Sequence, residues 1–307
     1  MTDPLSSLEE RRLVGLDFLE AVTTLLQRTR NAHPVKGTYE AADLQWWWRD
    51  ERSTDRLEQL FWFDGDGNPE AALIVIDWGD SSSGVYEEMM IAPMTMPDAP
   101  PDRVARVIDR GLADAKAVGI TEVDLEVDRT DTELRAILFD RGFTVQKDGL
   151  VEGWLDGGNR PELSACAPGY LLRSRSETLD RPHHMVNARR KHIDPEPRLR
   201  QTSLYHPDLD LVVFDPAGDP AAYGLFWFDP VTGFGMVEPM RTEEDHQRKG
   251  LARHILTAGV NRLLDAGATR IKICYEADNP ASGRLYRDVG FEPVKENDVF
   301  IGPTAVG

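Results

Sequence analysis

The stretch QRKGLAR, residues 247–253, sets Arg248, Lys249 and Arg253 around Gly250 where a helical pattern begins. The first amides of a helix lack intrahelical acceptors, and the positive end of the helix dipole faces outward. A glycine flanked by cations at that point therefore suits an anion such as a phosphate. Gly250 also permits a close backbone approach, or a backbone conformation, that other residues resist. Other groups of residues promise less. His183 and His184 follow Pro182 and could line a polar cleft, but no third ligand accompanies them, so they read as surface or capping residues and no metal is expected. Cys166 and Cys274 fall one in each half, without pairing or metal-ligand spacing, as thiols of a reducing compartment. Trp46, Trp47 and Trp48 cannot share one face of a helix. Core packing accounts for most such rings, and at least one is expected at a domain interface or a pocket wall.

The basic loop stands against the bulk charge. With 35 basic and 53 acidic residues the formal net charge is −18. That balance excludes a nucleic-acid partner and either attracts a cationic substrate or serves solubility. A polyanion would have to be met by a locally positive pocket. The 307 residues suffice for two domains with separate cores, and 41% hydrophobic with 29% charged residues describes a globular chain. No apolar run approaches the roughly 20 residues of a membrane span. MTDPLSSLEERR lacks the basic start and apolar stretch of a signal peptide, so no membrane partner and a cytoplasmic location are expected.

The elements that must hold the loop occur twice. FDGDGNPEAALIVIDW (63–78), followed by GVYEEMMIAP (84–93), parallels FDPAGDPAAYGLFWFD (214–229), followed by GFGMVEPMR (233–241). Phe63 falls on Phe214, Asp64 on Asp215, Gly67 on Gly218, Pro69 on Pro220 and Ala71 on Ala222. Each copy reads as strand, glycine-containing turn, strand. LRAILFDRGF (134–143) echoes SGRLYRDVGF (282–291), and the shared order implies a duplication. In the first half the pattern predicts an opening helix in SLEERRLVGLDFLEAVTTLLQRTR, a helix over 103–119, a strand over 122–127 and a helix in TELRAILFDRG. The second half should run as a strand at YLLRSRS, a basic segment of helical character over 181–192, the hairpin, a helix over 248–266, a strand over 270–277, a helix in ASGRLYRDVG and a strand in FEPVKENDVFI. DGGNRPELSACAPG, 156–169, is the expected linker between domains 1–155 and 170–307.

Residues 170–302 resemble the GNAT superfamily of acyl-CoA-dependent N-acetyltransferases. Gln247-Arg248-Lys249-Gly250-Leu251-Ala252 fits its Gln/Arg-x-x-Gly-x-Gly/Ala phosphate loop. Asn279, Leu285, Tyr286, Gly290 and Phe291 fit its later Asn-x-x-Ala-x-x-Leu-Tyr-x-x-x-Gly-Phe pattern, with Ser282 in place of Ala. The resemblance implies an α/β (α+β) fold: two tandem GNAT-like domains, each a mixed, splayed central sheet flanked by helices, the N-terminal copy degenerate. It implies acetyl-CoA as cosubstrate and no metal. The diphosphate would rest on the amides after Gln247, near Arg248, Lys249 and Arg253. The pantetheine arm would lie along Met240, Arg241 and Thr242 as an added strand, and Asn279 would be a further contact. One carbonyl or amide of that strand would polarise the thioester. Tyr286 would protonate the departing thiolate, and Glu238 would take the proton of an acceptor amine, with Glu276 or Asp278 acting through water as alternatives. The expected acceptor is a primary amine of a small molecule or peptide, acetylated by direct transfer in a ternary complex, since Cys274 lies on an expected buried strand and is no nucleophile. The phrase YEADNP resembles the second half of the mycothiol synthases, two-domain GNATs that acetylate a cysteinyl amine. A non-catalytic acyl-CoA sensor on the same scaffold is the alternative of another class. The expected state is a monomer or homodimer.

In the first half, the counterpart of the loop falls in IAPMTMPDAPPDR, 91–103. It has no glycine and no basic residue ahead of the helix, and Pro97, Pro100 and Pro101 offer no amide hydrogen. Leu138 stands in the place of Tyr286, and Asp128-Arg129-Thr130 in that of the Asn-containing turn. The first half is therefore expected not to bind coenzyme A, and instead to buttress or shape the acceptor pocket.

Overall fold

In a computed structural model, which describes residues 3–79, 88–186 and 194–305, the first half runs β1 (Glu9–Leu13), α1 (Gly15–Ala32), α2 (Ala41–Trp47), β2 (Gln59–Phe63), β3 (Pro69–Asp77), β4 (Met89–Thr95), α3 (Pro101–Ala117), β5 (Glu122–Asp128), α4 (Thr132–Phe139) and β6 (Thr144–Asp156). The second half continues with β7 (Leu171–Ser174), α5 (Glu196–Leu199), β8 (Asp210–Phe214), β9 (Pro220–Asp229), β10 (Phe234–Thr242), α6 (Leu251–Ala266), β11 (Arg270–Glu276), α7 (Pro280–Val289) and β12 (Glu292–Pro303).

The duplication is visible in single hydrogen bonds. In the β2–β3 turn the Asp64 amide donates to the Asn68 carbonyl, and Asp64 Oδ1 accepts from the amides of Asp66 and Asn68. In the β8–β9 turn the Asp215 amide donates to the Asp219 carbonyl, and Asp215 Oδ1 accepts from Ala217 and Asp219. Gly67 at φ 82° and Gly218 at φ 90° close the two turns in the left-handed region, where glycine carries no steric cost. Both hairpins also shift register one residue before the turn, between Trp62 and Phe63 and between Val213 and Phe214.

Four expectations change on contact with the structure. The opening helix starts at Gly15, and Glu9–Leu13 is a strand paired antiparallel to β2, with Glu10 opposite Trp62. Its charged side chains suit an edge strand, and the Arg11 guanidinium lies 4.4 Å from the centre of the Phe63 ring. Residues 181–186 form a bend and turn rather than a helix, and the rest of that basic segment, 187–193, lies outside the described residues, as do 84–87 ahead of β4. The 156–169 segment is anchored along α6: the Ser164 amide donates to Thr257 Oγ1, and the Arg160 guanidinium bonds Asn261 and Asp265. The compact units, finally, do not follow the repeat. One comprises Met1–Leu44, Glu51–Leu150 and Glu296–Gly307; the other comprises Gln45–Asp50 and Val151–Lys295.

The first unit's sheet runs β1-β2-β3-β4-β5-β12, with Asn297–Pro303 antiparallel to Glu122–Asp128. Trp62, Leu73, Ile91, Ile108, Leu112 and Phe300 are among its core residues. The second unit's sheet runs β6-β11-β10-β9-β8-β7, with Phe226, Val237, Ile255, Leu263, Ile271 and Phe291 in the core under α6. Each half thus completes its own unit with the last strand of the other half. Among the described residues no helix is long and apolar enough to cross a membrane.

Two glycines let the central helices lie close on their sheets. A Cβ at Gly111 of α3 would stand 2.2 Å from Leu73 Cδ1, and one at Gly259 of α6 would stand 2.1 Å from Phe226 Cζ. Phe226 is fully buried and has nowhere to move. Gly259→Ala should therefore destabilise the protein by about 1–3 kcal/mol through overpacking, despite a helix propensity gain of about 1 kcal/mol. The denaturant midpoint reads the sign.

Candidate active site

β10 changes partners along its length. Phe234–Val237 pair in parallel with Arg270–Ile273 of β11, and no residue beyond Val237 does. On the other side, Met240, Arg241 and Thr242 continue opposite Gly224, Tyr223 and Ala222 of β9 after a register shift at Glu238–Pro239. Pro239 has no amide hydrogen, and an irregularity of this kind bends a strand away from a neighbour. The stretch Met240–Thr242 therefore pairs with β9 and not with β11. Within it, Arg241 Nε and Thr242 Oγ1 are buried and find no hydrogen-bond partner among the described residues, the nearest charge for Arg241 Nε being Glu243 Oε1 at 3.6 Å. A buried polar atom left in this state costs about 1–3 kcal/mol, which a polar ligand lying along the strand would relieve.

The residues of the glycine loop follow directly. Gly250 takes φ 78° and caps α6, and Arg248 takes φ 60°, a conformation uncommon outside glycine. The His254 amide donates to the Gly250 carbonyl, but the amides of residues 248–253 have no acceptor among the described residues. Beyond the Gly250 α-carbon lies open space, with nothing within 4 Å of an added Cβ. The cations divide. Lys249 donates to the Tyr170 hydroxyl and the Asp245 carbonyl, both at 2.9 Å, and Arg253 pairs with Asp288 at 2.7 Å. Arg248 is exposed and forms no ion pair among the described residues, so it is the cation left for an anion.

Tyr286 sits on α7, 7% exposed, with the Tyr275 ring centre at 5.5 Å and that of Phe291 at 6.3 Å. Burial first, and the negative charge of Glu238 second, push its phenol up to about 12. The structure therefore brings Tyr286 and Glu238 into one electrostatic neighbourhood, with Glu238 half-buried where β10 leaves β11. Glu276 and Asp278 are exposed. Asn279 has a structural task beside the one its motif suggests. Its Oδ1 accepts from the Ser282 amide as the cap of α7, and in the first half Asp131 caps α4 in the same way through the Leu134 amide. A cap present in both copies is a structural one.

Sequence reading did not single out Arg49. The segment Gln45–Asp50 belongs to the second unit, where Gln45 bonds Ser203 and the Leu204 amide, and Trp48 Nε1 donates to Gln201. Trp46 is buried, and Arg49 lies 3.7 Å over its ring. Burial draws the Arg49 guanidinium below its ordinary range, opposed by the charges of Asp50 and Glu238 and by Tyr223. The tryptophan run therefore carries a cation to the neighbourhood of Glu238.

His183 and His184 are neither surface nor simple capping residues: they are 1% and 3% exposed, stacked at 4.3 Å, and share Asp210. His183 Nε2 is 2.9 Å from Asp210 Oδ2, His184 Nε2 is 3.1 Å from Oδ1, and the Tyr205 hydroxyl donates to Oδ2 at 2.9 Å. Burial alone would raise the Asp210 carboxyl, but the two histidines and their hydrogen bonds outweigh it and hold the group below its usual range. The three side chains lie close enough to bridge an ion. The Met185 amide, however, donates to His183 Nδ1 at 3.2 Å, which puts the ring proton on Nε2, facing Asp210. A metal on Nε2 would need the opposite tautomer, with Nδ1–H against an amide hydrogen. The group fits a buried carboxylate held by hydrogen bonds better than a metal site.

In the first unit β4 and β5 also part, sharing only the Met90–Asp124 position among the described residues, and a cleft of about 500 Å³ opens there. Pro93, Pro97, Glu126, Asp128 and Asp131 line it, so its charge is opposite to that of the loop at Gly250. At the start of α3 the Arg103 amide is taken by the Pro100 carbonyl and by Asp102 Oδ1.

Residues 176–291 match the family model "Acetyltransferase (GNAT) family". Over 85 residues the chain is 31% identical to a mycothiol acetyltransferase of Corynebacterium aurimucosum, a match spanning 26% of this chain and 28% of that protein. Two solved structures share the fold along nearly the whole chain. A tandem GNAT protein from the clavulanic acid biosynthesis pathway superposes at TM-score 0.68 with 13% identity, covering 98% of this chain and 99% of that one. A GCN5-related N-acetyltransferase from Sphaerobacter thermophilus superposes at 0.60 with 14% identity, covering 98% and 97%. The glycine loop, the parted strands and the Leu285-Tyr286 helix all lie inside the region that matches the GNAT acetyltransferase family.

Proposed function

We propose that the second unit transfers an acetyl group from acetyl-CoA to a primary amine of a small molecule or peptide. The observation that carries this reading is the row of unpartnered amides at residues 248–253 beside the gap left by β10, with Tyr286 and Glu238 in one neighbourhood. The amides and Arg248 would hold the diphosphate, and the edge of Met240–Thr242 away from β9 would hold the pantetheine arm. Acetyl-CoA supplies the acyl group activated as a thioester. Glu238 takes a proton from the acceptor ammonium so that its nitrogen can attack, and the Tyr286 hydroxyl gives a proton to the sulfur that departs. The partial match to a mycothiol acetyltransferase favours a cysteinyl amine as the second reading of the acceptor.

Calorimetry should find one acetyl-CoA bound per chain, because the start of α3 has two prolines and a carboxylate where α6 has free amides. Two equivalent sites would refute the degenerate reading of the first half. Release of free thiol with a panel of amines tests catalysis; tight binding without turnover for any amine would instead support an acyl-CoA sensor.

A further inference from the structure

Arg49 is a cation that the chemistry proposed above does not use. Its Nη1 donates to the Trp46 carbonyl at 3.0 Å, its plane covers the Trp46 ring, and its Nε lies 3.2 Å from the half-exposed Asp50 carboxylate. These contacts fix the guanidinium on one side and leave Nη2 with no partner among the described residues. The second unit recruits the segment that carries Arg49 from the other half of the sequence, and fastens it through Gln45, Trp48 and Arg198, whose Nε donates to the Trp48 carbonyl at 2.6 Å. Glu238, and Tyr223 opposite Arg241 of β10, are near enough for their charges to act on this cation.

We infer that Arg49 is a specificity-determining residue that binds a carboxylate of the acceptor, making the acceptor an amino acid or a peptide-like amine with a carboxylate close to its nitrogen. Such a molecule presents opposite charges to two opposite charges: its ammonium to Glu238 and its carboxylate to the open edge of Arg49. A guanidinium held flat on an aromatic ring is already ordered for a planar two-oxygen partner, so little rotamer freedom is lost on binding. The pair also explains how a chain with a formal net charge of −18 admits an acceptor bearing a negative group. The inference rests on the amine acetylation proposed for the same site, and its test separates the two.

The full-length protein is assayed with acetyl-CoA and matched acceptors, α-amino acids and dipeptides against their carboxamides. The wild type should prefer the free carboxylate by about ten- to hundredfold in kcat/KM, as a charge-assisted pair warrants. Arg49→Met, which retains contact with Trp46, should bring the carboxylate acceptor down to the level of its amide, leave the amide and the KM for acetyl-CoA unchanged, and recover in part as Arg49→Lys. Equal losses for both acceptors, or no preference in the wild type, would overturn the inference. Calorimetry of the N-acetylated acid and amide in the presence of coenzyme A reads the same contrast without turnover. Absence of acetylation therefore removes the proposed chemistry, whereas equal binding of acid and amide removes the role of Arg49.

Discussion

Gly250→Glu should leave the protein folded and weaken acetyl-CoA binding by about a thousandfold. Nothing lies within 4 Å of a Cβ built at this position, so the side chain enters empty space at the mouth of the loop and meets no packed core. There it would bring a carboxylate against the diphosphate. Two like charges about 4 Å apart at an effective dielectric near 20 repel by about 4 kcal/mol, or about a thousandfold in affinity. Backbone strain adds less: at φ 78° a side chain costs about 1–2 kcal/mol, and Gly250→Ala isolates that part. Alanine should therefore weaken binding by roughly tenfold and glutamate by far more. A calorimetric titration that gave both variants wild-type affinity would move the diphosphate elsewhere.

The parts of this fold that depend on neighbours in sequence were legible, and the parts that depend on distant pairing were not. Asp64 and Asp215 each organise a turn with their own backbone neighbours, so the duplicate hairpins could be aligned from residue types alone. The same holds for Gly250 and for α6, whose start is a local event. The exchange of last strands was hidden, because β12 reads as a strand whether it pairs with β5 or with an element of its own half, and only the pairing decides. Arg49 was missed for the same reason: nothing in LQWWWRDER tells which unit will hold it. Asn279 fits the family pattern of a coenzyme contact, and only the matching cap at Asp131, in a copy with prolines at its loop, shows that its Oδ1 also has a structural task. His183 and His184 found their third partner, Asp210, 26 residues beyond His184, outside any local motif.

Tyr286→Phe should lower kcat by about a hundred- to a thousandfold while changing acetyl-CoA affinity less than twofold. General acid catalysis is worth about that much, and the ring itself, packed on Tyr275 and Phe291, is retained. The pH profile provides the sharper check. A phenol at its ordinary value of 10.0 would be half ionised at pH 10, and its activity as an acid would be half lost there. Burial and Glu238 push Tyr286 up to about 12, so it stays protonated at pH 10, to about 99%, and the wild-type rate should not fall on its account between pH 7 and 10. A donor thioester whose thiol is acidic enough to leave without a proton should restore most of the variant's rate, because it removes the one step that needs the hydroxyl. If instead Tyr286→Phe lost less than about threefold, or the acidic thiol gave no rescue, the proton for the departing sulfur would come from another group, and Tyr286 would be a packed tyrosine of α7.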